Sequence, residues 1–278
     1  MIRIRLRLEF DGKEHCGWQT QDPDREILVE HKTSVQSELK KAIEIALNFS
    51  SEEGITLRGC GRTDAGVSAE EFYCHFDWVP EKLAKDFEKI RHSLNGILPE
   101  SIGVTEVVEV PSDFHALDSV VQKTYCYKLL IRRTKPTWER RTHYWISKTP
   151  QSIPWETLKA AAKLIEGEHD FRAFCAAHAA TNTTIRKVDS VQFLTQEISR
   201  GEGLEVVFEF KARGFLRHMV RNLTGALIEI IEEKRSLESL GRLLSPSQSE
   251  LTRKDAGLCA PAWALVLKKV EYRNSVTP

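Results

Sequence analysis

The sequence predicts an α+β protein built from two ferredoxin-like halves, each ordered strand, helix, strand, strand, helix, strand. Hydrophobic and charged residues alternate at positions 2–10, which marks a strand because successive side chains of a strand point to opposite faces. Apolar residues at helical spacing follow, and the same order of elements returns after about residue 117. We therefore predict halves at residues 1–116 and 117–278, without a repeat of individual residues.

The first half begins with the strand 2–10, which Asp11-Gly12 ends. A helix through about residue 49 is predicted next, with a capping box between Thr33 and Gln36. A strand at 55–58 leads into a glycine-rich loop and a strand at 72–76 leaves it, which predicts a hairpin. A helix over 81–95 and a strand over 102–110 complete this half. The polar insert near Asp22–Lys32 has no assigned use.

The second half begins with a strand at 121–131, followed by a basic, aromatic connection over 132–150. Pro154-Trp155 opens a helix that Gly167 ends. A hairpin of strands at 187–195 and 204–212, helices over 215–233 and 236–244, and a strand over 263–270 follow. Two such sheets lying edge to edge would leave a cleft, and clefts between domains are preferred ligand sites.

The charge distribution qualifies what the total charge suggests. The 278 residues carry 40 basic and 40 acidic side chains, and a zero balance argues against a nucleic-acid-binding protein. Residues 123–148, however, contain eight basic side chains and Glu139 as the only acid, which predicts one basic face. Solvated charge on ordinary helices and strands is the alternative.

Several function classes are disfavoured by composition and motifs. The six cysteines form no CxxC pair, so a reduced cytoplasmic protein without a zinc site is expected. No apolar run reaches membrane-spanning length, the N-terminus does not resemble a signal peptide, and P-loop and GxGxxG patterns are absent. His169-Asp170 lacks a spaced set of further ligands, so local hydrogen bonding is favoured over a metal site. We predict neither a cofactor nor a metal.

The glycine-rich loop at residues 59–69 holds one carboxylate, Asp64, which is the candidate catalytic group. A turn aspartate that bonds its own backbone is the alternative. Arg62 lies two residues earlier. Arg217 and Arg221 are four residues apart on the predicted helix 215–233 and would share one face, from which Arg221 could keep Asp64 ionised. A solvated stripe of arginines is the alternative.

Tyr125 lies on a predicted strand between Lys123 and Lys128. An aromatic ring in basic surroundings suits stacking on a nucleic-acid base. Tyr127 falls on the same face of the strand, and we interpret it as a core residue instead.

Taken together, these stretches resemble the TruA family of tRNA pseudouridine synthases. The match runs in order over nearly the whole chain through Phe10-Asp11-Gly12, Gly17-Trp18-Gln19, Ser34-Val35-Gln36, the loop from Gly61 to Ala69, Phe114-His115-Ala116, Lys123-x-Tyr125-x-Tyr127, Gly167–Phe171 and Gly214–Asn222.

The resemblance implies a cofactor-free isomerase that converts uridine to pseudouridine at positions 38, 39 and 40 of the tRNA anticodon arm. It also implies that both halves form one central, mainly antiparallel sheet flanked by helices, and that a homodimer binds tRNA. Asp64 matches the catalytic aspartate and Arg221 the arginine paired with it. Tyr125 matches the tyrosine that stacks on the target uracil, and Arg62 the arginine that helps to extrude the nucleotide. Further candidates for substrate binding are Arg58, Lys123 and Arg217.

Three residues depart from the family pattern. Ser68 replaces a usual histidine, Leu117 a usual arginine and Lys123 a common arginine. The first two put RNA contacts in question, whereas Lys123 can still serve a phosphate. Two other functions compete with the isomerase: a non-catalytic RNA-binding module of two RRM-like halves, and a metal-free hydrolase with Asp64 as nucleophile.

Overall fold

A computed structural model describes residues 1–19, 32–48, 54–79, 86–177, 181–198, 203–245 and 251–273. These residues form two compact units, the first within 1–121 together with 267–278, and the second within 122–266. The C-terminal strand therefore ends in the first unit. The halves 1–116 and 117–278 remain a prediction, and the polar insert lies outside the described residues apart from Lys32.

The first unit contains an antiparallel sheet in the strand order β4-β1-β3-β2. Strand β10, most of which belongs to this unit, also lies next to β3. Helices α1 and α2 complete the predicted order of elements. The bounds are β1 Ile2–Phe10, α1 Val35–Ala46, β2 Arg58–Gly59, β3 Ser68–Trp78, α2 Phe87–Ile97, β4 Ile102–Val110 and β10 Leu265–Tyr272.

Two details of the first unit differ from the prediction. Helix α1 is capped by Ser34, whose Oγ accepts a hydrogen bond from the Ser37 amide at 3.1 Å, and not by Thr33. The strand expected at 55–58 is reduced to Arg58–Gly59. The Leu57 carbonyl accepts a hydrogen bond from the Gln36 side chain at 2.8 Å, so α1 satisfies this backbone group in place of a strand partner. Of the predicted helix 81–95, residues 81–85 lie outside the described residues and Asp86 caps the rest.

The second unit contains an antiparallel sheet in the order β5-β9-β8-β7, with β6 pairing parallel to β5. Its core includes the fully buried Phe208 and Phe210 of β9. The bounds are β5 Val120–Ile131, β6 Tyr144–Ile146, α3 Trp155–Ile165, β7 Gly167–Asp170, β8 Ile185–Glu197, β9 Leu204–Ala212, α4 Met219–Ile231 and α5 Leu237–Leu244.

Helix α4 begins four residues later than predicted. His218, at its N-terminus, has the left-handed φ of 62°, which a right-handed helix cannot include. Arg217 therefore lies outside the helix, and the prediction that Arg217 and Arg221 share one helical face is wrong. Strands β6 and β7 were not predicted, and the last strand begins at Leu265 instead of 263.

The predicted α+β class, with mainly antiparallel strands flanked by helices, is confirmed. Among the described helices, none combines the length and the hydrophobicity that crossing a membrane requires.

Candidate active site

Asp64 lies in the loop between β2 and β3 and is half-buried. The Val67 amide donates to the Asp64 carbonyl at 3.1 Å and closes a turn in which Gly66 has the left-handed φ of 84°. The Gly66 amide in turn donates to the Gly12 carbonyl at 3.1 Å. The backbone on both sides of the aspartate is thus fixed by main-chain hydrogen bonds.

The segment that follows β1 holds this loop at van der Waals distance. A Cβ atom added to Gly12 would lie 2.0 Å from the Val67 carbonyl oxygen. A Cβ atom on Gly17, where φ is 110°, would lie 2.6 Å from the Thr63 carbonyl oxygen. Only glycine fits at either position, because the two backbones meet there without room for a side chain.

Trp18 anchors the same segment in the core. Its ring is buried 4.2 Å from the ring of Phe72 on β3, measured between centroids, and its amide donates to the Thr63 carbonyl at 3.3 Å. The carbonyls of Gly17 and Trp18 accept hydrogen bonds from the first residues of α1. Asp64 is therefore supported by β1, β3 and α1 together, which is the rigid support that a catalytic carboxylate needs.

The two arginines before Asp64 are exposed. Arg58 lies on β2 and pairs with His75 of β3, whereas Arg62 lies in the loop. In the described part of the chain, neither guanidinium makes an ion pair within 4.0 Å. Both side chains are accessible to a polyanion.

On β5 of the second unit, Tyr125 and Tyr127 share a face but differ in burial. Tyr125 is half-buried, and its ring stands edge-on to Phe215 with the centroids 5.3 Å apart and the planes at 89°. Tyr127 is fully buried, so the interpretation of Tyr127 as a core residue is confirmed. Burial raises the pKa of the Tyr127 phenol and keeps it protonated. Of the two rings, Tyr125 is the one with an accessible surface.

Lys123, on the same face of β5, is only 7% exposed. Lys123 is therefore far less exposed to solvent than Arg58 and Arg62. Its contact with a phosphate remains a prediction. Arg217 is exposed just before α4, and its carbonyl accepts a hydrogen bond from the Ala176 amide at 2.9 Å.

Arg221 is half-buried in the first turns of α4 and is oriented by the segment 255–260. Its Nε donates to the Ala260 carbonyl at 2.8 Å, and its own carbonyl accepts from the Ala260 amide at 3.1 Å. One helical turn later, a Cβ atom on Gly225 would lie 1.8 Å from the Leu258 carbonyl oxygen. One further turn on, Glu229 accepts from the Leu258 amide at 2.8 Å and from Arg235 Nε at 2.7 Å.

Arg221, Gly225 and Glu229 are spaced by four residues and so form one stripe along α4. Because the segment 255–260 is bonded along this stripe, the arginine cannot rotate independently of it. The sequence interpretation missed Gly225, Glu229 and the segment. A glycine and a carboxylate inside the predominantly apolar run 223–231 were the available signal.

The His169-Asp170 pair serves local structure, as expected. His169 Nε2 lies 2.9 Å from the Glu166 carbonyl oxygen, and Asp170 accepts from the Arg172 amide at 3.0 Å and from Thr184 Oγ1 at 2.6 Å. Within the described ranges, no group of three or more His, Cys, Asp or Glu side chains could hold a metal ion.

Comparison with known proteins decides the family. The family profile described as tRNA pseudouridine synthase matches residues 161–273. The tRNA pseudouridine synthase A of Citrifermentans bemidjiense is 34% identical, with the alignment covering 99% of both chains. The chain belongs to the tRNA pseudouridine synthase A family. The Nitrosomonas eutropha relative of the same name is 37% identical over 98% of this chain and 88% of its own.

A solved structure from a Cbf5-Nop10-Gar1 complex covers 80% of this chain and 44% of its own at 12% identity. Its TM-score of 0.30 is too low to bear on the fold.

Ser68, which departs from the pattern of this tRNA pseudouridine synthase family, has a structural role. Its Oγ accepts from the Gly12 amide at 3.0 Å and donates to Asp11 Oδ1 at 3.3 Å. The residue that departs from the signature thus ties the start of β3 to the glycine that supports the Asp64 loop. Leu117 is exposed, and nothing in the structure explains its presence there.

Proposed function

We propose that this tRNA pseudouridine synthase acts on uridines 38, 39 and 40 of the anticodon arm and uses Asp64 as its catalytic group. The isomerase class follows from family membership. The observation that supports Asp64 is the double attachment of its loop: glycines 12 and 17 lie against the backbone on both sides of the aspartate, and main-chain hydrogen bonds close the turn. A carboxylate fixed in this way keeps one geometry throughout a reaction.

The reaction exchanges one glycosidic bond for another. The N1–C1′ bond of the uridine breaks, the uracil rotates, and a C5–C1′ bond forms. The C5 proton is lost and N1 gains a proton, so atoms and charge balance. Asp64 either attacks C1′ and is later displaced by C5, or removes a ribose proton so that a glycal forms. In both routes a carboxylate must be ionised at the start.

The other candidates act on the substrate or on Asp64. A base inside a stem cannot reach a carboxylate, so the target nucleotide leaves the stack, and Arg62 takes its place. Tyr125 stacks on the flipped uracil, for which its accessible ring and its fixed contact with Phe215 are suited. Arg221 matches the arginine that the family resemblance associates with the catalytic aspartate, and we assign it to the active site on that ground. Arg58, Lys123 and Arg217 contact RNA phosphates.

We further propose that a homodimer binds the tRNA and that the enzyme works in the cytoplasm. Both statements rest on the family resemblance, and the absence of CxxC pairs agrees with a reducing compartment.

The deciding experiment combines Asp64→Asn with a matched carboxamide control, Glu100→Gln, at an exposed position of the same unit. Release of tritium from tRNA labelled at uridine C5 measures turnover, and carbodiimide labelling with primer extension maps the modified positions. Asp64→Asn should abolish turnover and retain tRNA binding, whereas Glu100→Gln should match the wild type. Normal turnover by Asp64→Asn would exclude Asp64, and labels found only at positions other than 38–40 would exclude the proposed target uridines.

A further inference from the structure

A basic segment that no catalytic role accounts for follows β5 at residues 132–141. At its centre Trp138 is 87% exposed, the largest exposed fraction among the described large hydrophobic side chains. The cations around it are also exposed. We name the five side chains the Trp138 patch: Arg133, Lys135, Trp138, Arg140 and Arg141.

The backbone that carries the patch is anchored. Trp145 Nε1 donates to the Arg132 carbonyl at 2.8 Å, and the amides of Thr142 and His143 both donate to the Glu139 carbonyl at 2.9 Å. Pro136, within the segment, is buried. The outward position of the tryptophan is therefore set by a defined turn.

The patch carries unbalanced positive charge. Glu139 is the only acid of the segment, and its carboxylate lies 3.5 Å from Arg132, which is not part of the patch. In the described part of the chain, the side chains of the four patch cations make no ion pair or hydrogen bond. Four like charges within nine residues repel each other, and a bound anion would offset that repulsion.

We propose that the Trp138 patch is an RNA-binding surface on which an unpaired base of the tRNA stacks on Trp138 while neighbouring phosphates contact the four cations. An exposed aromatic ring among cations is the combination that binds single-stranded nucleic acid. An isologous contact with a second copy of the chain would bring the two sets of cations together, which disfavours a self-interface.

We assign to the patch a nucleotide other than the one that is modified. The patch follows β5, and Tyr125 lies on that strand seven residues before Arg132, a separation that strand geometry makes roughly 23 Å. The proposal concerns tRNA contact alone and stands whether or not Asp64 is the catalytic residue.

Affinity and its salt dependence separate the two components of the patch. With full-length tRNA, Trp138→Ala should raise Kd by about 5- to 100-fold and leave the slope of log Kd against log salt unchanged, whereas Trp138→Phe should bind nearly as the wild type. The double variant Arg140→Gln/Arg141→Gln should reduce that slope by about 1.5, from roughly 0.7–0.9 for each phosphate contact. The losses should appear in KM rather than in kcat.

The controls remove an exposed apolar side chain and two exposed cations elsewhere in the same unit. Leu194→Ala removes an apolar side chain that is 65% exposed on β8, and Lys187→Gln/Lys254→Gln removes two exposed cations. Both controls should bind tRNA as the wild type does. Equal losses in the control and patch variants would overturn the proposal, because the effect would then come from general charge or surface area.

A photo-crosslinking residue at position 138 gives an independent readout. Irradiation of the enzyme with tRNA should produce a protein–RNA adduct that unlabelled tRNA competes away. Crosslinks between two protein chains, together with altered sedimentation of Trp138→Ala and unchanged Kd, would instead assign the patch to a protein contact. The absence of any RNA adduct together with an unchanged Kd would also overturn the proposal.

Discussion

Gly225→Ala tests whether the segment 255–260 positions Arg221. Alanine favours a helix over glycine by about 1 kcal/mol, so propensity alone predicts that this change in α4 stabilises the protein. The structure predicts the opposite sign. The new Cβ atom would lie 1.8 Å from the Leu258 carbonyl oxygen, a backbone atom that cannot rotate away.

The size of the effect follows from how far the segment must move. Cβ atoms essentially never approach another heavy atom to less than 3.0 Å, so Leu258 has to retreat by at least the difference, 3.0 − 1.8 = 1.2 Å. The bonds of 2.8 and 3.1 Å between Ala260 and Arg221, and of 2.8 Å from Leu258 to Glu229, would then break. Three bonds at about 1 kcal/mol each, less about 1 kcal/mol of propensity, leave a loss of about 2 kcal/mol.

Activity should fall more than stability suggests. The proposed role of Arg221 sets the expected size, since a displacement of about 1 Å in a catalytic site can cost on the order of 100-fold in rate. With Arg221 released from Ala260, we expect kcat for pseudouridine formation to fall by about that factor, while the Kd for tRNA changes little.

Two other helical glycines provide controls. A Cβ atom on Gly96 of α2 would meet nothing within 4 Å, and one on Gly241 of α5 would meet only Leu164 at 3.6 Å. Gly96→Ala and Gly241→Ala should each raise the free energy of unfolding by up to about 1 kcal/mol. Urea unfolding and tritium release are measured on all three variants. A Gly225→Ala protein as stable as the Gly96→Ala protein would refute the steric argument, and a destabilised variant with normal kcat would refute the positioning of Arg221.

Three further predictions concern the first unit. Gly12→Ala, which would place Cβ 2.0 Å from the Val67 carbonyl oxygen, should lower kcat about 100-fold with tRNA binding retained, whereas Gly103→Ala, which faces only the flexible Glu9 side chain at 3.3 Å, should not. Ser68→Ala should lower the free energy of unfolding by about 1 kcal/mol in thermal denaturation, because the Gly12 amide loses its acceptor; an unchanged melting temperature would contradict this role. Burial lowers the pKa of His75 from 6.5 to about 4, and its Nδ1 accepts the Ala116 amide, so folding favours the neutral ring. Stability should therefore be highest above pH 6.5 and fall by up to ~3 kcal/mol as pH decreases to 4; a His75→Gln variant with the same slope in this window would assign the loss to other groups.

The elements that the sequence predicted well are those defined by local periodicity. Strands β1 and β4 were predicted at the bounds that the structure gives, because the alternation of residues 2–10 and the β-branched composition of residues 102–110 are visible without knowing any partner. The start of α4 was not predictable in this way. Phe215 and Leu216 extend the apolar pattern toward the N-terminus, whereas the helix begins at Met219, directly after His218 in its left-handed conformation.

Strand β2 shows how tertiary contacts override local pattern. Residues 55–57 have strand-like composition, yet the Leu57 carbonyl accepts a hydrogen bond from the Gln36 side chain of α1. A side chain from a distant element thus competes with a strand partner for the same backbone group. No inspection of residues 55–58 alone could have revealed this competition.

For the candidate site, the sequence supplied residues but not the reasons for them. Asp64 was identifiable from its glycine-rich surroundings, whereas Gly12 entered as a strand end and as part of a matched motif, and Gly17 only as part of a matched motif. In the structure, each glycine allows two backbones to approach closely. A Cβ atom would lie 2.0 Å from a carbonyl oxygen at Gly12 and 2.6 Å from one at Gly17. The structural role of Glu229 was not predicted, because an acidic side chain on a helix is ordinarily solvated.

The loop around Asp64 is held chiefly by main-chain groups, and this explains where the sequence can vary. A backbone amide and carbonyl are present in every residue other than proline, so hydrogen bonds such as Gly66 to Gly12 survive most substitutions. Side chains matter only where space forbids them, at the glycines, or where they join the network, as Ser68 does. A departure from a family signature inside such a loop should therefore be judged by whether the new side chain preserves the backbone contact. Ser68 meets that criterion through its bond to Gly12, which is why we expect its loss to be seen first in stability and only secondarily in RNA binding.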